Sequence, residues 1–164
     1  SNSGIAIGHC SQKCATESSN VTVGGNAGFR LTCKFNVLMG NQTGVNATAA
    51  CGNTFLGNYA AGCFTTGHRN TFVGCHAGMG HTVGTFNVML GACSGPRTCG
   101  AVGECNIFIG GYTASAMCCG SANVLIGTHA GQCMRDAFCN VFLGRKSGLG
   151  VTSGCFNFLS LIHI

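Results

Sequence analysis

The sequence predicts an all-β fold, a single-chain β-solenoid (β-roll) of about ten coils, and the prediction rests on three observations. The first is a repeat of about 17 residues that runs through almost the whole chain. The second is a short apolar triplet, enclosed in each repeat between an Asn and a Gly. The third is a composition of 28 glycines, one proline and only 7% charged residues among 164, which is unlike an ordinary globular domain.

The repeat is anchored by an Asn that precedes three apolar or Thr residues and a Gly. The interval between successive anchors is nearly constant, and the longest one, from Asn87 to Asn106, contains Pro96, for which we predict an outward loop. Such a short period leaves no room for two helices with their connections, but it suits two short strands and their turns. Gly at fixed positions supplies the corners. Coils stacked at about 4.8 Å would give a rod of roughly 45–50 Å.

We predict one repeat domain, residues 1–158, followed by a non-repeat tail, residues 159–164. The tail leaves the pattern and resembles a translated adapter sequence, so we exclude it from the fold. No apolar run is long enough to span a bilayer. Neither end carries a polar cap, so we expect the chain to belong to a longer array.

The anchoring Asn residues form a column that has two interpretations. Stacked side-chain amides can bond from one coil to the next, whereas N-glycosylation requires an acceptor pattern that only Asn20, Asn41 and Asn46 match. We therefore predict an Asn ladder. Its members are Asn20, Asn36, Asn53, Asn70, Asn87, Asn106, Asn123, Asn140 and Asn157.

The apolar triplets have two faces, because side chains alternate along a strand. We assign the first and third positions to the interior and the second to the exterior. An exposed apolar stripe usually marks an interaction surface, although loops or another domain could instead cover it. The second position is therefore the predicted interface stripe, made of Leu38, Phe55, Phe72, Met89, Phe108, Leu125 and Phe142.

Fourteen cysteines favour an oxidising compartment. Cysteines at equal positions on adjacent coils lie within disulfide range, and Cys99 and Cys118 meet that condition. The alternative is that most cysteines are small buried hydrophobic residues. His76 and Cys93 share a position on neighbouring coils, but two ligands and no zinc-finger spacing give no basis for a metal or another cofactor.

Charged residues offer no sign of catalysis or of nucleic-acid binding. The acids Glu17, Glu104 and Asp136 fall at three different positions of the repeat, so no paired carboxylates are expected and the chain is predicted not to be an enzyme. The formal charge of +5 is scattered without a basic stripe, so nucleic acid is not an expected partner.

The segment Gly4-Ile-Ala-Ile-Gly8 and the recurring Asn-x-x-x-Gly-x-x-Ala-Gly resemble the repeats of trimeric autotransporter adhesin heads and of phage tail-fibre shafts. The resemblance covers roughly residues 4–160. It implies a β-roll with inward aliphatic residues and three chains packed through the second triplet position. It also implies an exposed fibre that binds a host or matrix ligand.

These observations predict a structural or adhesive segment of a surface fibre. We expect an extracellular or cell-surface location and a homo-oligomer, a trimer or a dimer, formed through the apolar stripe. The alternative function is ice binding, which rigid solenoids achieve with flat Thr arrays. Its basis is a partial column of Thr32, Thr48, Thr65, Thr82 and Thr152.

Overall fold

The computed structural model describes residues 4–14, 19–98 and 100–160. All regular elements in these ranges are β-strands, and none of the described residues belongs to a helix that could cross a membrane. In chain order the strands are β1 (Ile5–Ile7), β2 (Val21–Val23), β3 (Val37–Met39), β4 (Ala49–Cys51), β5 (Thr54–Leu56), β6 (Thr66–His68), β7 (Thr71–Val73), β8 (His81–Val83), β9 (Val88–Leu90), β10 (Ala101–Val102), β11 (Ile107–Ile109), β12 (Val124–Ile126), β13 (Asp136–Phe138), β14 (Val141–Leu143), β15 (Ser153–Cys155) and β16 (Phe158–Ser160).

The strands stack in parallel along one axis. The apolar triplets form a ten-stranded sheet in the order β1-β2-β3-β5-β7-β9-β11-β12-β14-β16. The second strands of the coils form a four-stranded sheet, β10-β8-β6-β4, and a two-stranded sheet, β13-β15. Isolated bridges through Cys119 connect these two smaller sheets. The predicted all-β solenoid, with its short and regular repeat, is confirmed.

The last strand extends past the predicted domain boundary. In β16, Phe158 pairs with Val141, Leu159 with Phe142 and Ser160 with Leu143. Residues 159 and 160 therefore continue the repeat, which was predicted to end at residue 158. Residues 161–164 of the predicted tail lie outside the described part of the chain.

The Gly that ends each triplet lets successive coils approach closely. Gly8 has a φ of 120°, and a Cβ placed on it would lie 2.6 Å from the carbonyl oxygen of Gly24 on the next coil. Only glycine combines this backbone conformation with that spacing. The recurring Gly in the sequence thus marks the corner at which the chain leaves the ten-stranded sheet.

The second position of each triplet points into the solenoid, so the predicted exterior stripe is wrong. The side chains of Leu38, Phe55, Phe72, Met89, Phe108, Leu125 and Phe142 are all fully buried. The first and third positions face outward, which also reverses the interior assignment made for them. The physical reason is alternation from the buried Asn: if the anchor points inward, the residue two places later must do so too.

The core fills the space between the two layers of strands. Phe55 and Phe72 stack with ring centroids 5.0 Å apart, and Phe64 from the opposite wall packs edge-on against both. The opposite wall also contributes Leu31, Met117 and Met134, all buried. From Leu38 to Phe142 the second triplet position carries large side chains, and these fill the interior because each strand sends only one triplet side chain inward.

Candidate functional site

The Asn ladder is continuous through the part of the chain that the structure describes. The side-chain amide of each member from Asn36 to Asn157 donates to Oδ1 of the preceding Asn, and its backbone N–H donates to the same oxygen. For Asn70 these distances to Asn53 are both 2.9 Å. The second amide hydrogen of Asn70 reaches the carbonyl oxygen of Gly84, at 2.9 Å. The ladder stabilises the stack, and both side-chain amide hydrogens of Asn70 are used within the solenoid.

The outer face of the ten-stranded sheet is a long apolar surface that runs along the coils. It consists of two columns, which are the first and third positions of the triplets in register. No Lys, Arg, Asp or Glu occurs in either column, and only Thr54, Thr71 and Ser160 are polar. Met39, Ile107 and Ile126 are among its most exposed members. We call this surface the outer sheet face.

The area of the outer sheet face determines how large an interface it can form. Ten strands at about 4.8 Å and two columns of side chains give an area of about 450 Å². A continuous apolar patch of that size on a monomer is often functional. It is about half of the ~800 Å² that each partner contributes to a standard interface, so it could form the apolar centre of one.

The Thr column lies in the second wall of the coils. Its hydroxyls bond to the next coil: Thr32 Oγ1 donates to the carbonyl of Thr48, at 2.8 Å, and Thr65 Oγ1 to that of Thr82, at 3.0 Å. The run of Thr side chains ends when Thr82 Oγ1 donates to the carbonyl of Ala101. Their hydrogens are thus used within the solenoid, which leaves the hydroxyl oxygens as acceptors.

A disulfide joins Cys33 and Cys51, whose Cα atoms are 5.2 Å apart, and Cys63 is also disulfide-bonded. The sequence interpretation missed the first pair because it compared only equal positions on adjacent coils. The two cysteines are 18 residues apart, slightly more than the repeat, so they meet diagonally across the wall. Diagonal spacing was the signal that could have found them.

The predicted disulfide between Cys99 and Cys118 is not observed. Cys118 is an exposed free thiol, and Cys99 lies outside the described residues. The described residues contain no group of three His, Cys, Asp or Glu side chains that could hold a metal ion. Cys93 is a partly buried free thiol one coil beyond His76.

Aromatic and basic side chains meet at two corners of the coils. At the corner after the outer sheet face, Tyr59 stacks on His76 and Tyr112 on His129, with centroids 5.5 and 5.3 Å apart. At the corner before the anchoring Asn, the guanidinium of Arg69 lies over the ring of Phe86, 5.3 Å from its centroid. The sequence interpretation singled out neither corner, because these residues scatter along the chain and meet only when coils stack.

His81 is a buried polar side chain in the apolar core. Its ring lies against Phe64 and Phe72, and Nδ1 makes no hydrogen bond. Burial lowers the pKa of the His81 imidazole from 6.5 to about 4, opposed in part by a hydrogen bond to the Gly103 backbone. The neutral ring is therefore the form that the folded chain accommodates.

Stability is expected to fall as the pH drops from 6.5 toward 4. In this window the unfolded chain binds a proton at His81 that the folded chain does not, so the free energy of unfolding decreases by about 3 kcal/mol. His81→Leu, which keeps a similar volume, should remove most of this pH dependence. Urea unfolding of both proteins at several pH values measures it, and an equal loss in the variant would contradict the assignment to His81.

Comparison of the chain with models of protein families, with curated proteins and with solved structures gives no significant match.

Proposed function

We propose that this chain is a non-enzymatic structural segment of a surface fibre, and that it self-associates through the outer sheet face. The observation that carries the proposal is the uncharged pair of apolar columns along all ten strands. Water-exposed apolar surface of this extent gains free energy when it is covered. A second copy of the same flat face is a fitting cover, because its side chains repeat at the same spacing.

A fibre role is supported by the way the coils are built. The coils stack into a rod of roughly 45 Å whose walls are hydrogen-bonded from coil to coil. The described residues hold two acids: Glu104 lies before the corner of one coil and Asp136 in β13 of another. This distribution favours a scaffold over a catalyst.

An extracellular or cell-surface location belongs to the same proposal. The disulfide between Cys33 and Cys51 is compatible with an oxidising environment. The resemblance to adhesin heads and tail-fibre shafts suggests a dimer or trimer with a host or matrix ligand. The trimer would have to use the outer sheet face, because the second triplet position is occupied by the core.

Charge placed on the outer sheet face should separate the subunits. We expect the unaltered protein to elute as a multiple of its 16.6 kDa chain mass. The double variant Ile107→Lys/Ile126→Lys should elute as a monomer, because burying two ammonium groups at an apolar interface is costly. Size-exclusion chromatography with light scattering, at a fixed protein concentration, gives the mass.

The chain provides a matched control on its other wall. Val83 and Val102 are 44% and 42% exposed, against 37% and 38% for Ile107 and Ile126, and also lie in strands. Val83→Lys/Val102→Lys should therefore leave the mass unchanged. Self-association through the outer sheet face would be refuted by a monomeric unaltered protein or by equal effects of both double variants.

A second function, ice binding, is favoured by one specific observation. The side chains of Thr32, Thr48, Thr65 and Thr82 follow one another on four successive coils, each bonded to the next. Such a rigid, evenly spaced row would suit an ordered water lattice. Thermal hysteresis in a solution of the unaltered protein would favour this function, and its absence would dismiss it.

A further inference from the structure

We infer that the corner before the anchoring Asn contains a binding slot for a small planar aromatic carboxylate, formed between Phe35 and Arg69 above Gly52. This inference goes beyond the proposed fibre role and does not depend on self-association. It rests on a gap in an otherwise occupied column of side chains. We call that column, the residue directly before each anchoring Asn, the corner column.

The corner column places one residue with a left-handed backbone on each coil. The φ angle is 64° at Phe35, 66° at Gly52, 57° at Arg69 and 61° at Phe86. Each backbone N–H in this run donates to the coil before it, so the four residues occupy consecutive coils. Gly52 alone among these four lacks a side chain, which interrupts the column between Phe35 and Arg69.

The interruption is open space. A Cβ placed on Gly52 would meet only Cγ of Arg69, at 3.9 Å. A shallow cleft of about 300 Å³ lies here, lined by Phe35, Cys51, Gly52, His68, Arg69 and Thr85. Two coil spacings, about 9.6 Å, separate the Cα atoms that flank the gap. An aromatic ring needs about 3.5 Å on each side, so one ring fits between the flanking side chains.

The chemistry of the walls selects the ligand. Phe35 is 71% exposed, which leaves a ring face available for stacking with another ring. Arg69 is packed over Phe86, which orders its guanidinium and holds a positive charge beside the gap, where it attracts a carboxylate. His68 adds a second polar group, and the cleft lining contains no acid. A flat apolar ring with one negative group satisfies both parts of the slot.

The floor of the slot is covalently fixed. Cys51 lines the cleft and is bonded to Cys33 on the preceding coil, and Cys51 pairs with His68 in the sheet. The gap therefore cannot close by sliding of the coils past each other. A preformed site of this kind spares a ligand the free-energy penalty of ordering the chain.

The experiment titrates 2-naphthoate into the full chain and follows binding by calorimetry. The unaltered protein should show saturable binding of one molecule per chain. Gly52→Phe should weaken it at least tenfold, because the new ring fills the gap; Phe35 and Phe86 show that Phe is tolerated in this backbone conformation. Arg69→Gln should weaken 2-naphthoate at least tenfold but leave the binding of neutral 2-naphthalenemethanol nearly unchanged.

The control is Phe156→Ala, which removes an exposed ring from the same corner column far from the gap. It should bind 2-naphthoate as the unaltered protein does. Circular dichroism checks that each variant folds, and if Gly52→Phe does not fold, Phe35→Ala takes its place with the same expected loss. Absent or non-saturable binding up to millimolar ligand, or equal weakening by Phe156→Ala, would overturn the inference.

Discussion

Replacing Phe72 with Ala is expected to lower the free energy of unfolding by about 3–5 kcal/mol, a typical value for removing a buried aromatic side chain. Phe72 is fully buried and touches two other core rings, Phe55 and Phe64. Removing it leaves a cavity that the neighbouring coils cannot fill, because their backbones are fixed by the hydrogen bonds between strands. Urea denaturation followed by circular dichroism measures the change.

Phe86→Ala is the matched control for this measurement. Phe86 is 51% exposed at the corner column, so its removal should change the free energy of unfolding by less than about 1 kcal/mol. The pair distinguishes the two possible orientations of the triplets. If the second position faced outward, the two substitutions would have similar small effects, and the orientation described above would be wrong.

Replacing Asn70 with Ala should lower the free energy of unfolding by about 4 kcal/mol, a sum over the groups it leaves unsatisfied. The amide of Asn70 bonds to Asn53 on one side and accepts the backbone and side-chain N–H groups of Asn87 on the other. Its loss leaves the Gly84 carbonyl and the Asn87 backbone N–H without the partners they now have, and each unsatisfied buried group costs about 1–3 kcal/mol. Chemical denaturation again provides the measurement.

Asn157→Ala tests the same bond at the end of the ladder. Asn157 is only partly buried and bonds within the ladder to Asn140. Its removal should lower the free energy of unfolding by about 1 kcal/mol, the value of an ordinary hydrogen bond. If both Asn variants had the same free energy of unfolding as the unaltered protein, the ladder would contribute little, and the hydrogen bonds between strands would be what holds the coils together.

The positions of the strands in the ten-stranded sheet could be predicted because the same two residues, an Asn and a Gly, enclose the strand in most repeats. Every triplet between an anchoring Asn and a Gly is a strand of the ten-stranded sheet, as the regular spacing of these two residues predicts. The orientation of the triplets was also within reach. Asn70 was assigned to an amide ladder that links stacked coils, with no statement of whether it faces inward. If such a ladder is taken as buried, alternation from Asn70 places Phe72 inward and Thr71 outward, as the structure has them. The triplets were assigned the opposite orientation because they were considered without the Asn that precedes them.

Other features depend on how one coil lies against the next. The Cys33–Cys51 bond crosses coils diagonally. The coil that contains Cys33, from Asn20 to Asn36, is also shorter than most, so a comparison of equal positions in the repeat did not reveal the pair. The gap at Gly52 becomes a cleft only because Phe35 and Arg69 flank it from coils on either side. Such sites depend on residues that differ from one repeat to the next, and a search for the pattern that all repeats share does not detect them.

Stacking with contacts only between consecutive coils has a mechanical consequence. Each strand of the ten-stranded sheet touches only its immediate neighbours in that stack. Under tension applied between its ends, the rod would yield from one end, coil by coil. Each coil that has no disulfide to its neighbour would release roughly 60 Å of extended chain while shortening the rod by only about 5 Å. The bond between Cys33 and Cys51 would hold the chain between these two residues closed. The coils without such a bond could lengthen roughly tenfold and dissipate work in small, nearly equal steps as they unravel.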